Sequence, residues 1–344
     1  MKYYHALLVL LTSIVVSCKT TVPPSTANYA SYDKIQVGPG PEDIDIDSIT
    51  NPAIPRLLAS CGSRRAEYAT IPNNIWAVDL RTNKATIIPR IGEPEGFIFN
   101  PHGFSITKQL ANNKPWLWVI NHGDASNQNK NSQSITVYEV TPTNLVFVKN
   151  ITSEVIESPN DIYGLSDGTC YFTNDFNAPK HNLQLLLGRK TGSIVYYDGR
   201  DCKKVATKLP YSNGIIAYNN ELYVSCILKK AFYKMPILKN GTLGNKTRLA
   251  KLKGIDNISI TDGTMYIASH PNLVAFAKHF KNKKKHSPTV IYKFNPIQPT
   301  QATVVYSNKG EQISAGSGAI YFKNSLYIAQ VFEDYILKAS NPIK

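Results

Sequence analysis

The sequence is poor in residues that staple a fold, with 5 cysteines in 344 residues. Cys61, Cys170, Cys202 and Cys226 have neither zinc-site spacing nor the pattern of a disulfide framework. Bridges and buried thiols both stay open, because an exported chain permits either. No G-x-S-x-G elbow occurs, which disfavours a serine-hydrolase arrangement. No long stretch repeats apolar residues at i, i+3 and i+4, and Gly and Pro punctuate the whole chain, which argues against a helical fold. Acidic residues are outnumbered, 24 against 38 basic, for a net charge of +14. That excess admits an acidic partner or simple solubility. Aromatic residues do not alternate with the basic ones, so a nucleic-acid platform is set aside. Much of the excess lies in "KHFKNKKKH", Lys278 to His286, which reads as a solvated loop, with a membrane-surface contact as the minor reading. His181, His279 and His286 lie in polar surroundings and read as surface residues.

What is present begins with a leader. Lys2 is followed by an apolar run, Ala6 to Val16, too short for a comfortable membrane span. The run ends "VVSC", similar to a bacterial lipobox, with Cys18 as the lipid-bearing residue. The expectation is an exported lipoprotein, membrane-anchored and facing the periplasm or the cell exterior. A plain secretory signal and an uncleaved anchor are the alternatives. Residues 1–18 are then the signal segment, 19–30 a Pro-, Ser- and Thr-rich tether, and 31–344 one domain.

That domain repeats. "PEDIDID", "NPHGFSI", "SPNDIYG", "YSNGIIA" and "GIDNISI" each set polar residues before an apolar alternation, and "AGSGAIYF" around Ser317 is a weaker sixth. Each is followed by a turn, among them Asn112-Asn113, Asp167-Gly168, Asn219-Asn220 and Asp262-Gly263, and by a second apolar strand. Six hairpins result, with a polar residue where each first strand starts and where each second strand ends. In an antiparallel hairpin those two points share one edge. Stacked radially, six such units make an all-β six-bladed propeller, with every polar mouth at one end of the axis.

Glu42, Asp43, Asn160, Asp161, Asn213, Asp256 and Asn257 then converge there. All offer oxygen and none sulfur, which is the ligand preference of Ca²⁺. Asx residues at strand starts commonly bond local backbone instead; pairs repeated at successive mouths favour a metal. Side chains of adjacent strand residues point apart, so pairs such as Glu42-Asp43 and Asn160-Asp161 suit two ions, one on each side. Glu42 with Asp256 would balance one Ca²⁺, and Asp43 with Asp161 a second.

In order, "PEDIDID", "NPHGFSI", "VINHGD", "SPNDI", "FTNDF", "SNGI", "DNISI" and "SHPN" resemble the motifs of the paraoxonase/arylesterase family. The likeness runs from about residue 40 to Val331-Phe332. It implies a six-bladed propeller with two axial Ca²⁺ ions that hydrolyses lactones and aryl esters. By motif, Glu42, Asn160, Asn213, Asp256 and Asn257 would hold the catalytic ion. Asp43, Asp161 and the Phe104 carbonyl would hold the structural ion. His102 and His122 match the family's histidine dyad, Asp175 a further acid, and His270 a site-lining histidine. The sequence departs from the pattern at Phe176, where the family has histidine, and at Tyr211, the aromatic before the Asn-Gly motif. The N-terminal cysteine of the family's long-range disulfide and the lipoprotein-binding helices have no counterpart. These departures bear on acyl preference more than on reaction type.

The chemistry is self-consistent. A partly ligated Ca²⁺ polarises a carbonyl, and a histidine near neutrality accepts a water proton. "CGSRRAEY", Cys61 to Tyr68, is expected to form a loop over the site, with Arg64 or Arg65 meeting a carboxylate and Tyr68 as a lid. Two alternatives stay open: a non-catalytic Ca²⁺-stabilised binding propeller, and a gluconolactonase-type sugar-lactone hydrolase. The sequence specifies no oligomer.

Overall fold

The computed structural model describes residues 22–123, 133–176, 189–298 and 301–343. The leader with Cys18, and His181, lie outside the described residues.

Alternating apolar strands with short turns build six sheets around a common axis, a six-bladed propeller. The innermost strands of blades one to six are Pro41–Asp47, Pro101–Lys108, Pro159–Gly164, Ser212–Tyr218, Ile255–Thr261 and Gly316–Phe322. Each pairs antiparallel with the next strand in the chain. Asn219-Asn220 and Asp262-Gly263 take positive φ at both residues, as two-residue hairpin turns require. Asn112-Asn113 and Asp167-Gly168 instead lie in longer connections, since the flanking pairs are Lys108 with Pro115 and Gly164 with Cys170.

The last blade is completed by the first described strand. Asn28–Gln36 pairs antiparallel with Tyr335–Ile343, from Asn28 opposite Ile343 to Gln36 opposite Tyr335. The strand therefore begins inside the segment expected as a tether. Apolar clusters weld neighbouring blades. Leu58, Ile75, Phe104 and Leu117 join blades one and two, for example, and Ile44, Leu57, Ile320 and Tyr327 join blades six and one. The four domain cysteines are free thiols. The run expected as a solvated loop is partly the helix Leu273–Lys281, started by the Asn272 side chain accepting from the Ala275 N–H. Its His279 is buried rather than on the surface.

All six innermost strands break register at the same place, their mouth. A bulge there turns consecutive side chains out of simple alternation and re-aims them. The mouths also alternate in kind around the ring. Blades one, three and five carry the pairs Glu42-Asp43, Asn160-Asp161 and Asp256-Asn257. Blades two, four and six carry His102-Gly103, Asn213-Gly214 and Ser317-Gly318. Two of these glycines, Gly103 and Gly214, make room for the neighbouring pair. A Cβ on Gly103 would stand 2.5 Å from the Asn160 carbonyl oxygen, and one on Gly214 2.7 Å from that of Asp256.

Because backbone on both sides cannot yield cheaply, Gly214→Ala is expected to cost about 1–3 kcal/mol of stability. Thermal or urea unfolding checks this, and an unchanged midpoint would show that the blades are not held this closely.

Candidate active site

The bulged mouths set buried carboxylates and amides at one end of the axis in two tiers. In the outer tier, Glu42 Oε1 accepts from Asn257 Nδ2 at 3.1 Å. Asp256 Oδ2 meets His270 Nε2 at 2.7 Å. In the inner tier, Asp43 accepts from the backbone N–H groups of Ile44 and Phe104, both at 2.9 Å. Asp161 accepts from those of Ile162 at 2.7 Å and Ile215 at 2.8 Å. Asp43, Asp161, Phe104 and Ile215 also line a cavity of about 130 Å³ on the axis, together with Asp45.

The electrostatics of this cluster are unfavourable as it stands. Burial, and then the Asp256 charge, push Glu42 up to about 8, against the pull of Arg64 and Asn257. Burial and Asp161 raise Asp43 well above the carboxylate range, and burial raises Asp161 likewise. In this cluster four buried oxygens have no hydrogen-bond partner: Glu42 Oε2, Asn160 Oδ1, Asn213 Oδ1 and Asn257 Oδ1. Unmet buried acceptors are costly, and a hard cation is the partner that all four accept. These residues fit Ca²⁺. Among the described residues no three His, Cys, Asp or Glu side chains are placed to hold an ion by themselves. In the outer tier the free oxygens of Asn160, Asn213 and Asn257 would stand beside the carboxylates as further ligands.

Beside the outer tier, the rings of His102 and His122 pack edge to face, 4.8 Å between centroids. His102 stands at the start of the first strand of the blade-two hairpin and His122 directly after the end of the second. His102 Nδ1 stands 2.9 Å from Arg64 Nη2, and its Nε2 is 3.6 Å from Glu42 Oε2. His122 Nδ1 is 2.5 Å from Gln133 Oε1. Burial, then Arg64 and His122, hold His102 well below its ordinary value. Burial lowers His122 to about 4, against the contact with Gln133. Both rings are therefore neutral near pH 7. Asp175 accepts from Ser158 Oγ at 2.5 Å. Burial pushes its carboxyl up to about 7, against hydrogen bonds from Ser158, the Phe176 backbone, Tyr211 and Asn160. Tyr211 takes φ +63°, and its ring lies 6.2 Å from that of Phe176.

The structure thus brings together Glu42, His102, His122, Asn160, Asp175, Tyr211, Asn213, Asp256, Asn257 and His270 at one mouth, with Asp43, Phe104 and Asp161 beneath. It does not bring Tyr68 to them. The charges around Tyr68 are those of Asp334, Glu67, Glu333 and Lys283. Of the two arginines expected to meet a carboxylate, Arg65 pairs with Glu333 at 3.1 Å. Arg64 lies instead against His102. Ser158 and Gln133 are site residues that the sequence reading missed. Ser158 directly precedes the Pro-Asn-Asp motif and was within reach of it; nothing in the sequence marks Gln133.

A family model described as Arylesterase matches residues 42–337. The human protein named serum paraoxonase/arylesterase 2 is 29% identical over 278 residues, covering 76% of this chain and 75% of that protein. Human serum paraoxonase/lactonase 3 is 25% identical over 309 residues, covering 85% and 84%. Among solved structures, a gluconolactonase from Xanthomonas campestris superposes with a TM-score of 0.54 at 13% identity, covering 92% of this chain and 96% of that one. That last likeness concerns the fold alone.

The buried carboxyls make metal-free stability depend on pH. Glu42 and Asp175 hold protons when folded, at about 8 and 7, that they lose near 4 when unfolded, so their ionisation destabilises the fold as pH rises through those values. The lowered histidines act oppositely, but only below their ordinary 6.5. The melting temperature of metal-free protein should therefore fall between about pH 6.5 and 8, and added calcium should flatten the fall. A calorimetric series shows it; a midpoint that rises across that window contradicts the charge account.

Proposed function

The chain belongs to the arylesterase family and is a carboxylic-ester hydrolase, and from that premise we propose that it is a calcium-dependent hydrolase of lactones and aryl esters. The observation that carries the calcium reading is the set of unpartnered buried oxygens on Glu42, Asn160, Asn213 and Asn257. With Asp256 they would hold the catalytic ion. Asp43, Asp161 and the Phe104 carbonyl would hold a second, deeper one, and the Phe104 N–H already donates to Asp43. When bound, the catalytic calcium supplies a Lewis acid for the ester carbonyl and its oxyanion.

The protein's own groups do the rest. The His102–His122 pair, neutral and adjacent, takes the proton of the attacking water and returns it to the leaving oxygen. Asp175, balanced near neutrality beside Asn160, holds or yields a proton at the same mouth. Tyr211 and His270 border the space for the substrate, and the Phe176–Tyr211 pair offers an apolar wall for an acyl chain. Export and lipid anchoring at Cys18 are part of the proposal and rest on the leader pattern.

Exhaustive chelation should abolish hydrolysis of a lactone and aryl-ester panel and lower the melting temperature together; full activity without calcium overturns the reading. A chain with both His102→Gln and His122→Gln should lose roughly 10²–10⁴-fold in turnover, with folding and calcium affinity kept. The two tiers should also fail differently. Asn257→Ala removes one neutral oxygen and should leave a folded protein with weak calcium affinity and little activity. Asp43→Ala strips a charged group from the inner tier and should melt early, at a cost of several kcal/mol. Calorimetric titration should find two classes of calcium site in the unaltered protein, and a single class would refute the two-tier division.

A further inference from the structure

A guanidinium has no lone pair to offer, so every hydrogen bond it makes is a donation. Arg64 Nη1 donates to the carbonyl oxygens of Gly40 at 3.3 Å and Gly62 at 2.9 Å. Those carbonyls fix the group at the mouth. Gly40, at φ +59°, leaves it room: a Cβ there would stand 2.9 Å from Nη1. The remaining terminal nitrogen, Nη2, lies 2.9 Å from His102 Nδ1. Nδ1 must therefore accept, and the hydrogen of the neutral ring sits on Nε2, which lies 3.6 Å from Glu42 Oε2. His102 has no basic nitrogen left. To take another proton it would have to place a second N–H against Arg64.

His122 is held the other way round. Its Nδ1 faces the acceptor Gln133 Oε1 at 2.5 Å, so Nδ1 carries the hydrogen and Nε2 keeps its lone pair. We propose that Arg64 is a positioning residue that locks His102 as the Nε2–H tautomer, which makes His122 Nε2 the proton acceptor of the pair and His102 a hydrogen-bond donor. This rests on the hydrolase reading and assigns roles within it. As the water oxygen bonds to the carbonyl carbon, its proton passes to His122 Nε2. When the carbon–oxygen bond to the leaving group breaks, that proton passes to the leaving alkoxide. The products are a carboxylic acid and an alcohol, or one hydroxy acid from a lactone. No other reactant is needed.

The test is ¹⁵N NMR of the histidine rings in the full chain with calcium added, the His102 signals being assigned by their loss in His102→Gln. The expected result is a protonated Nε2 and an unprotonated Nδ1 on His102. Arg64→Met should convert this to a tautomer mixture, and Arg64→Lys, which still donates, should restore it. Turnover gives an independent reading. A glutamine at position 102 retains both an acceptor for Arg64 and an N–H donor, so His102→Gln should be at least tenfold less damaging than His122→Gln, for which about 10²–10⁴-fold is expected. Nδ1–H on His102 in the calcium-loaded protein, a tautomer indifferent to Arg64→Met, or the reverse order of the two glutamine variants would each overturn the proposal. Failure of the hydrolase reading would look different: no turnover on any ester or lactone, with the ring signals still reporting the tautomer.

Discussion

Repulsion among buried carboxylates is the constraint around which this molecule is arranged. Glu42, Asp43, Asp161 and Asp256 all lie buried at one end of the axis. Two unit charges 4 Å apart interact by about 4 kcal/mol even at an effective dielectric of 20. Backbone N–H groups answer part of this in the inner tier, where Asp43 and Asp161 each accept two. The outer tier has less. Glu42 gains one amide donor, and its second oxygen gains none. The unmet capacity thus lies in the outer tier, beside the histidine pair.

The ring accommodates that cluster by alternating what each blade contributes. Three blades bring paired polar groups and the three between them bring a glycine, so the crowded mouths face the slim ones. The bulge at every mouth bends the strand and re-aims its consecutive side chains. The same bulge presents Phe104 and Ile215 N–H groups to the carboxylates of neighbouring blades rather than to their own hairpins.

Much of this was legible in the sequence because a propeller repeats, and repetition shows as a pattern. The polar-then-alternating mouths gave six hairpins, and the paired Asx and Glx residues at their starts gave the position of the cluster. What escaped depends on contacts far apart in the chain. Gln133 meets His122, and Arg64 meets His102, across distances that no spacing rule spans. Tyr68 read as a lid because it follows the mouth of blade one, but its short helical turn faces Glu333 and Lys283. His279 read as surface because it lies in polar surroundings along the chain. Helical periodicity turns it inward, where Nδ1 donates to the Lys285 carbonyl oxygen and Nε2 meets Glu333. Asn112-Asn113 read as a tight hairpin turn and proved part of a longer connection, since a dipeptide fixes a local angle but not the number of residues around it.

The closing blade joins the two ends of the described chain, with Asn28 opposite Ile343. That pairing orders events in time. Ribosomal synthesis delivers the first strand long before its partner exists, so its free edge must wait while five blades form. Loop closure over nearly the whole length is slow, and unpaired strand edges invite wrong partners meanwhile. The strands that supply Glu42, Asn160, Asn213 and Asp256 all precede the final one. The polar cluster can gather in an open arc of blades, and the ring shuts around it only at the last step.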